Sequence, residues 1–214
     1  MIIIFLGPPG AGKGTHAAIL RAKLSIPLVC AGDIIRETIR NKLKFADELK
    51  KFTEKGLLVP DELVINIIKN RILSDDCKNG FILDGFPRTL VQALALEEIK
   101  IKADFVINVE TSDEVICSRI LGRRVCSSCG AVYNVFTEMK PRVEDICDVC
   151  GKDLIKRKDD VSSDVVMKRL QVYQEETSPL VDYYKNMGKI LTVDGAEPLN
   201  EISEKILKVI NGDK

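Results

Sequence analysis

Short apolar runs alternate with longer amphipathic stretches along most of the chain. Residues 2–6, 81–84 and 104–110 have the length and the hydrophobicity of buried parallel strands. A further apolar segment ends at residue 30, and residues 189–193 predict the last strand. Strands that alternate with helices imply a parallel sheet covered on both faces. We therefore predict an α/β, three-layer fold with a central parallel sheet flanked by helices.

Apolar residues at helical spacing predict the helices that connect these strands. The predicted helices with defined bounds are residues 13–24, 34–44, 60–73 and 198–209. Asp33 is expected to cap the second of these helices, because its side chain precedes the first turn. Thr111 and Glu114 are expected to form a capping box for the helix that follows residues 104–110.

A glycine-rich loop after the first apolar run carries the strongest motif. The sequence GPPGAGKGT at residues 7–15 satisfies the spacing GxxxxGK, although the usual hydroxyl residue stands one position late, at Thr15. Glycines let backbone N–H groups converge on one anion, and the N-terminus of the next helix adds partial positive charge. Lys13 would add a charge for the β- and γ-phosphates. A plain turn is the alternative, but a strand before and a helix after favour a P-loop.

Composition narrows the classes of partner. The 214 residues are 45% hydrophobic, which suits one substantial domain with an inserted lobe. Lys and Arg together number 32, as do Asp and Glu, so no basic field attracts nucleic acid or an anionic membrane. The first apolar run is too short for a signal peptide, and no stretch could span a bilayer. We expect a cytoplasmic protein that binds neither nucleic acid nor membrane.

Four of the seven cysteines stand at metal-binding spacing. Cys126 and Cys129 form one CxxC pair, and Cys147 and Cys150 form the other. Four thiolates complete the tetrahedral shell of Zn²⁺ and leave no position for water, so the predicted site is structural. Two disulfides are the alternative, which a reducing compartment disfavours. The few residues between the pairs cannot build an ordinary core, and metal binding would replace one.

Arginines mark the strand ends and both ends of the cysteine insert. The motif DGFPR leaves strand 81–84 directly, so Arg88 would face the same crevice as Lys13 and bind a second phosphate. Arg123 stands where the insert begins and Arg157 where it ends. The insert is therefore expected to be a flap between two charged hinges.

The sequence contains no conventional catalytic base. We find no Ser/His/Asp or Cys/His pairing, and His16, the only histidine, is expected on the surface of the first helix. An acceptor that is itself a phosphate monoester is already anionic, so its transfer reaction needs alignment and charge neutralisation. The sequence therefore favours phosphoryl transfer to a phosphate.

The motifs also form an ordered set. GPPGAGKGT, GDIIR, GLLVPDELV, NGFILDGFPRTLVQA, RILGRR, the two CxxC pairs, RKDD and KRL follow one another along the chain. In this the chain resembles adenylate kinases of the long-lid, zinc-containing type from end to end. The resemblance implies a monomer that transfers the γ-phosphoryl group of MgATP to AMP, giving two ADP. It also implies a core at residues 1–29, 60–121 and 161–214, an AMP-binding lobe at 30–59 and a zinc-ribbon-like lid at 122–160.

The resemblance assigns site residues by motif match. Those implied to bind ATP are Gly10, Ala11, Gly12, Lys13, Gly14, Thr15, Arg119, Arg123, Val132, Tyr133 and Glu197. Those implied to bind AMP are Ala31, Arg36, Leu57, Leu58, Val59, Gly85, Phe86, Pro87, Arg88, Gln92, Arg157 and Arg169. Those implied to act on the transferring phosphoryl group are Lys13, Asp84, Arg88, Arg123, Arg157 and Arg169. Asp84 would hold Mg²⁺ through water, although a strand-end aspartate can also cap a turn.

Departures from the family pattern leave alternatives open. Ala31 stands where Thr is usual, and related UMP/CMP kinases carry Ala there, so a UMP/CMP kinase with a long lid is one alternative. Gln92 and the long lid favour AMP. An extra residue before Arg169 would rotate its side chain by about 100° if it lies inside the helix. A zinc-ribbon module that binds nucleic acid is the other alternative, which zero net charge and few aromatic residues disfavour.

Overall fold

A computed structural model describes residues 1–157, 160 and 162–212 of the chain. Its helices and strands follow the predicted alternation. In chain order they are β1 (Ile2–Leu6), α1 (Lys13–Leu24), β2 (Leu28–Cys30), α2 (Ala31–Arg40), α3 (Ala46–Thr53), α4 (Asp61–Ile72), β3 (Phe81–Asp84), α5 (Leu90–Glu98), β4 (Phe105–Glu110), α6 (Asp113–Gly122), β5 (Arg123–Cys126), β6 (Val132–Asn134), β7 (Leu154–Ile155), α7 (Ser163–Val172), α8 (Pro179–Asn186), β8 (Ile190–Asp194) and α9 (Leu199–Asn211). A π-helical turn, Tyr173–Thr177, joins α7 to α8.

A five-stranded parallel sheet forms the centre of the molecule, in the order β2-β3-β1-β4-β8. Successive side chains of β1 point to opposite faces. Ile4 and Leu6 pack in one core with residues of α2 to α5 and α8, whereas Ile3 and Phe5 pack in the other with α1 and α9. The prediction of a three-layer α/β fold is therefore confirmed.

The parallel arrangement brings the strand ends to one edge of the sheet. Each strand ends at this edge, where Leu6, Asp84, Glu110 and Asp194 are the last residues of β1, β3, β4 and β8. Ligands of open parallel sheets bind in the crevice beyond the carboxyl ends of their strands. The P-loop and the DGFPR motif both lie at this edge.

The cysteine insert forms a small sheet of its own between α6 and α7. Strands β6, β5 and β7 are antiparallel, with β5 in the middle. Helix α6 ends at Gly122 and β5 begins at Arg123, so no loop separates the core helix from the insert. Val161, the predicted start of the last core segment, lies outside the described residues.

Two predicted helix starts are wrong. Helix α2 begins at Ala31 and ends at Arg40, so Asp33 lies in its first turn and its carboxylate does not cap the helix. The reason is that β2 passes into α2 without a loop, and an acidic residue is favourable anywhere in a first turn. The helix after β4 is capped by Ser112, whose Oγ accepts the N–H of Val115, and not by Thr111.

Over residues 1–157, 160 and 162–212, no helix is both long enough and apolar enough to cross a bilayer.

Candidate functional site

The P-loop turns sharply between β1 and α1. Gly7 has a φ of 132°, and a Cβ atom there would lie 2.2 Å from the backbone oxygen of Val109. Gly12, the last residue before α1, has a φ of 105°. Only glycine adopts these conformations without strain. The loop therefore directs the first N–H groups of α1 toward the crevice, as an anion site requires.

Lys13 is folded back onto this loop. Its Nζ donates hydrogen bonds to the backbone oxygens of Gly7 and Pro8, each at 2.7 Å. Desolvation by burial lowers the pKa of Lys13 to about 8, although the negative charge of Asp84 opposes the shift. The ammonium therefore loses its proton as the pH rises through about 8, and a bound anion would stabilise the charged form.

Cations from distant parts of the sequence converge on Lys13. The positive charges of Arg88, Arg169 and Arg123 each lower the pKa of Lys13 further. Burial, and then the charge of Arg169, also lower the pKa of Arg88. Together with Asp84, which also acts on the charge of Lys13, these cations are five of the six residues expected to act on a transferring phosphoryl group. Such a concentration of positive charge suits phosphate groups.

Asp160 binds two of these arginines, and its role was not predicted. Its carboxylate accepts hydrogen bonds from Nε and one terminal nitrogen of Arg123, both at 2.7 Å, and from Arg169 at 2.8 Å. Its side chain is 1% exposed. The acidic pair in RKDD, beside so many arginines, was the available signal. Arg169 lies in the cluster, as expected if the extra residue precedes α7.

Arg119 connects α6 to both loops on the expected ATP side. Its terminal nitrogens donate to the backbone oxygens of Ala11, at 3.0 Å, and Gly195, at 2.7 Å. Glu197 follows in the second of these loops and forms an ion pair with Lys205. Val132 of the insert is exposed. The structure thus joins Arg119, the P-loop and the loop after β8.

The expected acceptor residues lie around α2, α5 and the DGFPR loop. Arg88 donates from Nε to the backbone oxygen of Gly85 at 2.9 Å. Gln92 is buried, accepts the Arg88 N–H at 2.7 Å and donates to Asp61 at 2.7 Å. Gln92 therefore fixes the backbone that carries Arg88.

The remaining expected acceptor residues differ in exposure. Ala31, Val59, Phe86 and Pro87 are buried, whereas Leu58 is half-buried and Leu57 is exposed. Desolvation would raise the pKa of Asp33, but the guanidinium of Arg36, a hydrogen bond with Cys30 and the charge of Arg157 lower it. These two arginines therefore lie near the start of α2.

Asp84 ends β3 directly below the start of α1. Its Oδ2 lies 3.2 Å from the position a Cβ atom would take on Gly14, and accepts the thiol of Cys30 at 3.7 Å. The carboxylate is buried, with 9% of the residue exposed. Asp84 therefore faces the first turn of α1, next to the phosphate loop.

The four cysteines of the two CxxC motifs form one cluster. Their sulfur atoms all lie within 4.8 Å of one another. Cys126 and Cys150 are 3.4 Å apart, and Cys129 and Cys147 are 3.6 Å apart. Tetrahedral Zn²⁺ with Zn–S bonds of about 2.3 Å requires sulfur separations of about 3.8 Å. The donor set and its spacing thus fit a closed, structural zinc site, and the predicted cysteine cluster is confirmed.

The expectation that His16 lies on the surface is wrong. The residue is 3% exposed, and its imidazole packs 3.9 Å from the Cβ position of Gly12. Burial and then the charge of Arg119 lower the pKa of His16 to about 4. The face of α1 that carries His16 packs under the P-loop. A single polar residue in a helical pattern does not show that its face is buried.

The buried histidine predicts an acid-sensitive stability. Unfolded chains bind a proton on histidine below about pH 6.5, whereas folded His16 remains neutral to about pH 4. Its contribution is therefore complete above pH 6.5 and is lost as the pH falls toward 4. Between pH 7 and 5, the wild type should lose on the order of 2 kcal/mol more unfolding free energy than His16→Gln. Urea unfolding at both pH values measures this, and equal losses would contradict it.

Comparison with known proteins agrees with this geometry. The family model described as adenylate kinase matches residues 5–189. The adenylate kinase of Caldicellulosiruptor saccharolyticus is 48% identical over 214 residues, covering 98% of this chain and 99% of that protein. That of Clostridium tetani is 48% identical and covers 98% of both chains, and that of Acetivibrio thermocellus is 44% identical over all of both. The chain belongs to the adenylate kinase family.

Proposed function

We propose that the protein catalyses the reversible transfer of the γ-phosphoryl group of MgATP to AMP, giving two ADP. Membership of the adenylate kinase family makes it a nucleoside monophosphate kinase, and hence a phosphotransferase. The observation that carries the proposal is the meeting of Lys13, Arg88, Arg123 and Arg169 beyond the carboxyl ends of the parallel strands. A donor phosphate and an acceptor phosphate that face each other at this point would both be bound by positively charged side chains.

On the donor side, the backbone N–H groups of the P-loop would bind the ATP phosphates. The loop residues are Gly10, Ala11, Gly12, Lys13, Gly14 and Thr15. Lys13 would exchange its two backbone partners for phosphate oxygens, which stabilise its charge better than carbonyl dipoles do. Arg119, already fixed by two carbonyls, would lie along the adenosine. Val132, Tyr133 and Glu197 belong to segments expected to flank the base or ribose.

On the acceptor side, Arg88 would bind the phosphate of AMP. The hydrogen bond from its backbone to Gln92 supports a fixed position for this arginine. Ala31, Arg36, residues 57–59 and the DGFPR loop would enclose the nucleoside.

Transfer would depend on alignment and neutralisation of charge. Arg123 and Arg169 would neutralise the moving phosphoryl group, together with Arg157, while Asp160 holds the first two in place. The AMP phosphate is already anionic, so the residues need not remove a proton from it. Mg²⁺ bound with ATP supplies additional positive charge, and Asp84 would orient it through water.

The division of the chain follows from these roles. Residues 1–29, 60–121 and 161–214 would form the core, 30–59 the AMP-binding lobe and 122–160 a lid that excludes water. Zn²⁺ on Cys126, Cys129, Cys147 and Cys150 would hold the lid together. The small size of the lid core supports this: among the described residues, Tyr133 and Leu154 are buried there beside Cys126 and Cys147, and Ala131 packs against them.

We further propose that the protein works as a cytoplasmic monomer and binds neither nucleic acid nor membrane. Equal numbers of basic and acidic residues support the absence of a nucleic-acid surface. Its partners would be ATP, AMP and ADP alone.

The acceptor preference is directly testable. With ATP and an equimolar mixture of AMP, UMP and CMP, chromatography of the initial reaction should show AMP consumed at least about tenfold faster than UMP or CMP, because hydrogen-bonding groups of the site distinguish one base from another. A pyrimidine preference would refute the assignment to AMP.

Ala31 provides a matched pair of variants for the same assay. Ala31→Thr adds a hydroxyl and Ala31→Val adds the same volume without one. A buried hydrogen bond to the base is worth about 1 kcal/mol, or roughly fivefold in rate. A preference for AMP that rises in the threonine variant alone would show that residue 31 faces the base.

A further inference from the structure

The hydroxyl of Tyr133 points into the cysteine cluster. Its Oη lies 3.5 Å from Sγ of Cys147, and it accepts the backbone N–H of Asp148 at 2.8 Å. The residue is 9% exposed, so its ring forms part of the small core of the insert. This orientation leaves the hydroxyl unavailable to a nucleotide.

The direction of the hydrogen bonds follows from the donors present. Because Oη already accepts the Asp148 N–H, its own hydrogen is free to point to the sulfur of Cys147. A metal-bound cysteine is a thiolate, which accepts hydrogen bonds and cannot donate them. The pair is thus oriented from the amide to the hydroxyl and from the hydroxyl to the thiolate.

We propose that Tyr133 is an outer-sphere hydrogen-bond donor that stabilises the metal-bound thiolate of Cys147 and slows loss of the metal. The proposal rests on the proposed zinc site and not on the phosphoryl transfer. Four thiolates around one divalent cation carry a net charge of −2, and hydrogen bonds to the sulfurs disperse it. The N–H groups of Ser128 and Cys129 do this for Cys126, at 3.4 and 3.5 Å.

The same strand connects the metal cluster to the expected ATP side. Tyr133 is the middle residue of β6, and the next residue, Asn134, donates from Nδ2 to the backbone oxygen of Arg119 at 2.9 Å. A ring held at the cluster therefore also fixes the strand that contacts α6. Metal loss would act on Arg119 through this three-residue strand.

Tyr133→Phe tests the role because it removes only the hydroxyl. Full-length wild type and variant, each loaded with one Zn²⁺ per chain, are mixed with excess chelator and a metal indicator. Loss of one such contact typically costs 10–100-fold in metal affinity, and we expect release to be about tenfold faster or more. Substitution with Co²⁺ should also shift the sulfur-to-cobalt absorption band in the variant.

Tyr183→Phe is the matched control, since its hydroxyl donates a hydrogen bond to Glu97 and the two residues lie on helices α8 and α5 of the chain, outside the insert. Release at the wild-type rate from Tyr133→Phe, with an unchanged cobalt spectrum, would overturn the proposal. Failure of the variant alone to load metal, with normal unfolding of its core, would support it. A wild type that binds no metal would overturn the zinc site and this role together, while leaving the phosphoryl transfer unaffected.

Discussion

Lys13→Met is expected to lower kcat by about 10²- to 10³-fold, the usual effect of removing one preorganised charge that stabilises a transition state. The loss should fall on kcat more than on KM, because the charge on the moving phosphoryl group is what the ammonium would stabilise. The melting temperature should change by only a few degrees. The substitution removes two hydrogen bonds to backbone oxygens, but it also removes the cost of desolvating an ammonium group.

Lys23→Met is the matched control for this variant. Lys23 is exposed in the last turn of the same helix, so its loss should leave activity unchanged. Steady-state formation of ADP and thermal unfolding are measured for both variants. Near-normal turnover of Lys13→Met would remove this lysine from the phosphate site, whatever the fold.

Removal of the metal is expected to have the largest effect on stability. Stripping metal, or the substitution Cys126→Ser, should lower the melting temperature by about 10 °C, since 1 kcal/mol corresponds to about 2–4 °C at this chain length and metal binding contributes several kcal/mol. The core sheet has its own hydrophobic clusters, and these include none of the four cysteines of the insert. ATP binding by the P-loop should therefore survive, although transfer should slow.

Cys117→Ser separates the metal effect from the loss of a thiol. Cys117 is half-buried on α6 and lies outside the cluster. Its serine variant should respond to a chelator as the wild type does, whereas Cys126→Ser should show no further change. A melting temperature that is the same before and after chelation of the wild type would contradict a structural metal.

Local patterns were sufficient to predict the sheet, the P-loop and the cysteine cluster. Each depends on residues close in sequence: a run of apolar side chains, glycines beside Lys13, or two CxxC pairs. The parallel order of the strands then brings Arg88 to Lys13, because DGFPR directly follows a strand. The meeting of these motifs could therefore be anticipated without coordinates.

The features that were missed depend on contacts between distant segments. His16 is buried because α1 packs under the P-loop and beside Arg119 of α6, and the helical pattern around it gives no sign of that contact. Asp160 is a partner of Arg123 and Arg169 only because the fold brings these distant segments together. The start of α2 was missed for a different reason, since β2 continues into α2 with no loop residues to mark the change.

The direct junction between α6 and β5 has a mechanical consequence. Because no loop separates Gly122 from Arg123, strand β5 of the insert continues directly from the end of α6. A Cβ atom on Gly122 would lie 2.4 Å from Oδ1 of Asn134, so any larger residue there would displace the Asn134 side chain. Arg119, one turn before the junction, binds α6 to the backbone oxygens of Ala11 and Gly195 through its guanidinium group. A displacement of those two loops that moves α6 would therefore also move the start of the insert, because no loop lies between α6 and β5.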